Sequence, residues 1–370
     1  MPNKDVVCFV SPNLVKSAEN PEEIISRLQI YASNFEESNG VANSTTLMVT
    51  SGLSAENFPA NSAVGRLVIT NFGEKRIKFW DFAIKTYKVL KHESSQKITL
   101  VAGDNYGALL MCLILKRFMS ADVSIQISIH GNPLIQKGSI TRSLARKFSF
   151  HFFVPRASII RLVSKHLEVP LGHYFGRSAR IIVCPIPITV GPFPDFQPKK
   201  GLVGIVGRLH YERGVDELCE ILTCFAKNPG SFSFIVIGNG PQKAMVEKLK
   251  DSEENLKIEL LGALPHDQVL AHYPNFNLLL SCAPDEGYGL ALREAILSGV
   301  PVVARKNLGT LELLKQFPDM VFLFDSTQEA VNLIKAKYGI LIDPELIELY
   351  RRKQEDFDRS NIDTLVKSWS

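Results

Sequence analysis

Short runs of β-branched and aromatic residues alternate with helix-length amphipathic segments along almost the whole chain. That alternation is the pattern of parallel sheets flanked by helices. In the first half it predicts strands over residues 6–10, 46–49, 67–69, 98–101, 123–129, 150–154 and 181–183. Helices fit between them over 21–32, 78–90, 106–118, 143–148 and 158–166. After a proline-rich stretch, 185–198, the alternation restarts, with strands over 202–206, 232–237, 258–261, 276–281, 301–304 and 320–324. The intervening helices are expected at 215–226, 241–249, 267–273, 290–298, 310–316 and 327–335, and a final amphipathic stretch runs over 344–369. Three segments follow: an α/β domain over 1–195, a second over 196–343, and a C-terminal helix, 344–370, packing back toward the first. Sheets of this kind bind ligands beyond the carboxyl ends of their strands, so two domains facing each other across a cleft are expected to hold the site.

The 370 residues suffice for two domains with their own cores. A formal charge of only +4 argues against a wholly basic nucleic-acid binder and against an acidic disordered chain. The six cysteines lie mostly in apolar runs and form no CxxC pair, which reads as free thiols rather than a metal site. The N-terminus shows no basic and apolar leader, and the longest apolar run, 108–115, is far short of the roughly 20 residues that span a bilayer. A cytoplasmic protein is expected.

Three loops carry candidate chemistry. In the stretch from Ser281 to Ala295 a strand ends, two glycines permit a turn, and a helix begins near Leu290. Unpaired N–H groups at a helix start suit a phosphate, and Glu286 and Glu294 could accept bonds from vicinal hydroxyls. The bland alternative is a capping Glu286 and a solvated Glu294. In the loop from Gly207 to Gly214, Arg208 and Arg213 could clamp a diphosphate through forked hydrogen bonds, or be two surface arginines. The third, Gly238-Asn239-Gly240-Pro241, is a GxG turn with Lys243 where a dinucleotide fingerprint would place its third glycine. It suits a tight turn beside a nucleotide better than it suits NAD.

Together these residues resemble the nucleotide-sugar half of retaining GT-B-fold glycosyltransferases of glycosyltransferase family 4. The blocks run in that family's order through 201–316: Gly207-Arg208-Leu209 with a basic residue five positions on, the Gly238 turn, Gly262-Ala263-Leu264, the Glu286–Glu294 pair, and Ser298-Gly299-Val300-Pro301. Residues 97–190 match more loosely, with His130 following a strand as the family's histidine does. The resemblance implies a GT-B fold of two Rossmann-like domains and a metal-independent hexosyl transfer from a nucleoside-diphosphate sugar to a hydroxyl, with retention of configuration. It places Arg208 and Arg213 on the diphosphate, Glu286 on the transferred sugar and Glu294 on the ribose. Backbone N–H groups around Tyr288, Gly289 and Leu290 would meet the distal phosphate. Gly238 and Leu264 would lie by the nucleotide, and His130 would orient the sugar or support positive charge. No cofactor is implied beyond the nucleoside-diphosphate sugar as co-substrate, and Asp356-Phe357-Asp358, the one DxD, lies in the final helix. Three positions depart from the family pattern: Arg213 stands where lysine is usual, Thr310 where a second glycine is usual, and no glycine-rich loop spans 11–18.

The implied acceptor is a saccharide or lipid-linked hydroxyl, in surface polysaccharide, lipopolysaccharide or glycolipid synthesis. From Val123 to Ile181 nine Lys/Arg residues meet one acid, Glu168, and Arg142, Arg146 and Lys147 fall on one predicted helix. This basic face suits an anionic acceptor or peripheral contact with the inner face of an anionic membrane; a solvated helix face is the alternative. Two other functions stay open: a GT-B-like binding or regulatory subunit of weakened activity, which the absent N-terminal glycine loop favours, and a nucleotide-sugar epimerase.

Overall fold

The alternating runs form two sheets in a computed structural model of the protein, which describes residues 4–12, 21–40, 44–51, 53, 61–64, 67–73, 75, 77–92, 95–120, 122–135, 140–188, 198–227, 232–340 and 342–369. The chain divides into two units, residues 1–185 with 358–370, and residues 186–357. The division expected at 195 falls among residues 189–197, outside the described residues.

In the first unit the elements are β1 (Lys4–Ser11), α1 (Pro21–Asn39), β2 (Ser44–Thr50), β3 (Asn61–Val64), β4 (Leu67–Asn71), α2 (Phe79–His92), β5 (Ser95–Ala102), α3 (Gly107–Phe118), β6 (Asp122–Ile129), α4 (Ile140–Phe152), β7 (Ile159–Leu162), α5 (Glu168–Leu171) and β8 (Arg180–Val183). The sheet order is β3-β4-β2-β1-β5-β6-β7-β8. Every pair is parallel except the β3–β4 edge. Residues 13–20, which include most of the stretch expected to lack a glycine loop, lie outside the described residues.

Two predicted elements are corrected here. Residues 150–154, expected as a strand, continue α4 to Phe152 and then turn through a 3-10 segment, Val154–Arg156. Pro155 cannot supply the next helical N–H, so the helix ends there. Residues 158–166, expected as a helix, contain β7, whose four residues are all buried. Arg161, the one charged residue of β7, is an interior residue. Its Nε donates to the Cys184 carbonyl (2.8 Å), and its Nη2 donates to Tyr31 Oη (2.7 Å) and the Pro185 carbonyl (2.8 Å). A buried guanidinium is tolerated because its donors are satisfied.

The second unit holds β9 (Leu202–Val206), α6 (Val215–Lys227), β10 (Ser233–Ile237), α7 (Lys243–Ser252), β11 (Ile258–Gly262), α8 (His266–His272), β12 (Leu278–Ser281), α9 (Leu290–Leu297), β13 (Val302–Arg305), α10 (Leu308–Gln316), β14 (Val321–Phe324) and α11 (Thr327–Lys337). Its sheet is wholly parallel, in the order β11-β10-β9-β12-β13-β14. Alternate residues face opposite layers. Val203, Phe234 and Leu278 join Leu218, Ile221 and Phe225 of α6 in one core. Leu202, Leu279 and Val302 join Leu292, Ala295 and Ile296 of α9 in the other.

α12 (Pro344–Lys367) contributes to both units: residues to 357 belong with the second, and those from 358 with the first. Beyond it, Trp369 is 1% exposed and packs edge-on against Phe9, Tyr31 and Phe35, with ring centroids 5.7–6.4 Å apart. Its Nε1 donates to Gln126 Oε1 at 2.6 Å. Among the described residues no helix is long and apolar enough to cross a membrane. Trp369→Ala should destabilise the first unit by about 3–5 kcal/mol, read as a lowered urea midpoint for that unit by circular dichroism.

Candidate functional site

In the second sheet β9 and β12 are neighbours although β10 and β11 lie between them in the chain. Where strand order reverses in this way, the loops at the carboxyl ends part and leave a crevice. The loop after β9 carries Arg208 and Arg213, and the loop after β12 carries Glu286, Tyr288 and Gly289. Two glycines let neighbouring loops approach, Gly214 the loops after β9 and β12, and Gly238 the loops after β10 and β9. Gly214, at φ +67, would place a Cβ 1.9 Å from the Cys282 carbonyl oxygen. Gly238, at φ +144, would place one 1.9 Å from the Gly207 carbonyl oxygen. Both positions combine a left-handed backbone with backbone contact, so a side chain is excluded twice. The Gly238 N–H donates to the Gly262 carbonyl at 2.7 Å, which ties in the turn leading to the half-buried Leu264.

Arg213 and Glu286 meet directly. Arg213 Nη1 donates to Glu286 Oε1 (3.1 Å) and Oε2 (2.9 Å), with the carboxylate buried and the arginine 40% exposed. Arg208 is exposed and forms no ion pair among the described residues. Gly289 immediately precedes α9, and no side chain caps that helix start. α10 differs, because the Asn307 side chain accepts from the Thr310 N–H (3.0 Å) and Thr310 Oγ1 accepts from the Asn307 N–H (2.9 Å). The threonine that stands where glycine is usual thus closes a capping box.

Glu294, 4% exposed, is held from two sides. His266 Nε2 lies 2.9 Å from Oε1, and Tyr273 Oη donates to Oε2 at 3.0 Å. A carboxylate only accepts, so His266 must carry its hydrogen on Nε2. Burial, then the charge and hydrogen bond of Glu294, push the Tyr273 hydroxyl well above its ordinary pKa of 10, keeping it a donor. Arg293 is 1% exposed, stacks 4.0 Å from the Tyr288 ring centroid, and donates to the Tyr288 carbonyl (3.0 Å) and to Gln316 Oε1 (2.6 Å). Gln354 of α12 donates to Tyr288 Oη at 3.2 Å. Sequence reasoning missed His266, Tyr273, Arg293 and Gln354. The signal that could have found Arg293 was its place inside the Glu286–Glu294 block.

The structure therefore gathers Arg208, Arg213, Gly238, Leu264, Glu286, Tyr288, Gly289, Leu290 and Glu294 on the second sheet's loops and the helices they open. His130, Arg146 and Lys147 belong to the first unit. His130 follows β6, and its pKa is lowered from 6.5 to about 4 by surrounding protein and then by the positive charges of Arg161 and Arg27. Arg146 is half-buried on α4 and Lys147 exposed, while the side chain of Arg142 lies outside the described residues.

Residues 192–351 match the family described as Glycosyl transferases group 1. The chain is 26% identical over 185 residues to a subunit of phosphatidylinositol N-acetylglucosaminyltransferase from Arabidopsis thaliana, covering 48% of this chain and 40% of that protein. It is 31% identical over 152 residues to alpha-monoglucosyldiacylglycerol synthase of Acholeplasma laidlawii, covering 41% and 37%. The chain thus spans 37–40% of the length of these two curated relatives. Among solved structures, Anabaena Alr3699/HepE in complex with UDP and glucose aligns with a TM-score of 0.68 at 15% identity, over 98% of this chain and 99% of that one. The fold is GT-B, with two Rossmann-like α/β domains. Residues 192–351, which hold every second-unit residue of the site, are the part matched to the group 1 glycosyltransferases.

Two measurements check this geometry. Tyr273→Phe removes a donor to a buried carboxylate and should cost about 1.5–3 kcal/mol by equilibrium denaturation. His130 should stay neutral from pH 7 down to about 4 in an NMR titration of its ring protons. The unfolded chain protonates this histidine first, near 6.5, so its contribution to stability is full above that pH and falls as pH drops toward 4.

Proposed function

We propose that the chain is a glycosyltransferase moving a hexose-type sugar from a nucleoside-diphosphate sugar to a hydroxyl acceptor, with retention of anomeric configuration and without a metal. One observation carries this reading. Two guanidiniums, an uncapped helix start and two buried carboxylates lie on the loops and helix that follow β9 and β12, the strands between which the second sheet's order reverses, and Arg213 pairs there with Glu286. The match of 192–351 to the group 1 glycosyltransferases supports it.

In the reaction the bond between the anomeric carbon and the diphosphate oxygen breaks, and the acceptor oxygen bonds to that carbon on the same face. The acceptor's proton passes to the departing phosphate. Arg208 is unengaged among the described residues, and Arg213 commits only Nη1 to Glu286, so further donors remain to stabilise charge developing on the diphosphate. The α9 start supplies N–H groups to the distal phosphate. Glu286, oriented by Arg213, accepts from sugar hydroxyls. Glu294 accepts one bond per oxygen from His266 and Tyr273, and a carboxylate has about four lone-pair sites, so room remains for the ribose hydroxyls. His130 is assigned to sugar orientation as a neutral imidazole.

The acceptor is assigned as a saccharide or lipid-linked hydroxyl, glycolipid synthesis being favoured by relatives named for phosphatidylinositol and diacylglycerol. Incubating the protein with a panel of nucleoside-diphosphate sugars and a cell lipid and saccharide extract should release nucleoside diphosphate. Arg208→Ala and Glu286→Ala should each lower that rate by about 10²-fold or more. Wild-type rates in both variants would sink the proposal.

A further inference from the structure

A helix on the edge of a globular unit ordinarily turns its apolar face inward and its polar face to water. α4 does more. Its inward side buries Ser149 and Phe150, and Ser149 Oγ donates to the Asn105 carbonyl. Its outward side is also apolar: Leu144, Phe148 and Phe152, one helical turn apart, are 60%, 53% and 50% exposed. Phe148 and Phe152 stack with centroids 4.5 Å apart, and Phe153 adds an edge contact to Phe148 at 5.5 Å. The patch borders a groove of about 660 Å³ that Tyr106 and Leu110 close from the α3 side. No other part of the described chain covers this stripe.

Charge decides what does. Lys147 lines the same groove, next to Phe148, and Arg156 is exposed just beyond the helix. Lys147 and Arg156, whose guanidinium donates to the Phe152 carbonyl, are exposed at the stripe and form no ion pair among the described residues. Between residues 123 and 181 the single acid is Glu168, against nine bases, of which Arg161 is buried. A second copy of this chain docked face to face would set base against base, so self-association on this surface is disfavoured. Exposed aromatic and aliphatic side chains rimmed by lysine and arginine match an anionic lipid surface. There the rings enter the boundary between headgroups and acyl chains while the cations stay among the phosphates.

We propose that the outward face of α4 docks the protein on an anionic bilayer. The helix lies in the membrane plane, with Leu144, Phe148 and Phe152 inserted and Lys147 at the headgroups. Docking needs no donor chemistry, so it stands or falls separately from sugar transfer. It gives a physical route to lipid-linked acceptors, which do not leave the membrane.

The test is co-sedimentation of the full chain with vesicles of phosphatidylcholine alone or mixed with phosphatidylglycerol. Wild type should pellet with the mixed vesicles, remain in solution with the neutral ones, and be partly released by high salt. The combined Leu144→Ser, Phe148→Ser and Phe152→Ser variant should bind at least tenfold more weakly with an unchanged melting temperature. Lys147→Glu, a single change at an exposed position, should weaken binding about fivefold or more, and keeps the test decisive if the triple variant folds poorly. Equal pelleting with both vesicle types, no pelleting with either, or wild-type binding by Lys147→Glu would overturn the proposal. So would a dimer in size-exclusion chromatography that the triple change converts to monomer, because the stripe would then face a second copy.

Discussion

Backbone resting on backbone at the carboxyl ends of β9, β10 and β12 is the constraint on which the second unit's site depends. Gly214 lies against the Cys282 carbonyl and Gly238 against the Gly207 carbonyl, both at distances no Cβ could share. The loops carrying Arg213 and Glu286 are thereby brought near enough for their side chains to pair. A side chain at either glycine would have to push the loops apart or force the backbone from its left-handed conformation. The arginine–carboxylate pair thus spans two loops whose backbones touch at Gly214, from strands adjacent in the sheet and distant in the chain, while Gly238 seats the next loop against the first.

Around that contact the structure spends buried polar groups on orientation. Glu294 would be costly at its depth without partners, and it has two, supplied by α8 and by the residue following it. Arg293, one position earlier on α9, points into another network and fastens the loop that precedes the helix through the Tyr288 carbonyl and ring. Gln354 binds the same tyrosine from α12. Adjacent residues on one short helix thus join different networks, so the loop carrying Glu286 and the carboxylate at Glu294 are set by a common rigid element.

How much of this the chain reveals before folding depends on whether local pattern and tertiary role agree. In the second unit they do: the expected strand over 202–206 coincides with β9, and each later element falls within a few residues of its expected place. In the first unit agreement fails over 150–166, where Arg161 counted as a surface residue but is satisfied inside by the Cys184 and Pro185 carbonyls and Tyr31. The short edge strand β3 was unread as well, since it forms only by antiparallel pairing with β4. For the site, residues bound to a motif were legible and residues bound to a partner were not. Glu286 and Glu294 announce themselves by spacing, whereas His266 and Tyr273 matter only because the fold brings them to Glu294, 28 and 21 positions away in the chain.

The two helix starts that follow β12 and β13 show how neighbouring elements of similar design are assigned different work. Both carry unpaired N–H groups by geometry, and both follow parallel strands at the same end of one sheet. At α10 Asn307 and Thr310 satisfy those groups reciprocally, and the Asn307 amide also donates to the Ala283 carbonyl (3.0 Å), tying the cap to the loop after β12. At α9 the position that could bear a capping side chain is Gly289, which has none. Thr310 therefore helps turn the α10 start into a brace for the loop that opens α9. In the proposed reaction this leaves α9 as the helix start for the departing phosphate, and it places the Thr310 departure outside the chemistry, in the support of the loop that carries Glu286.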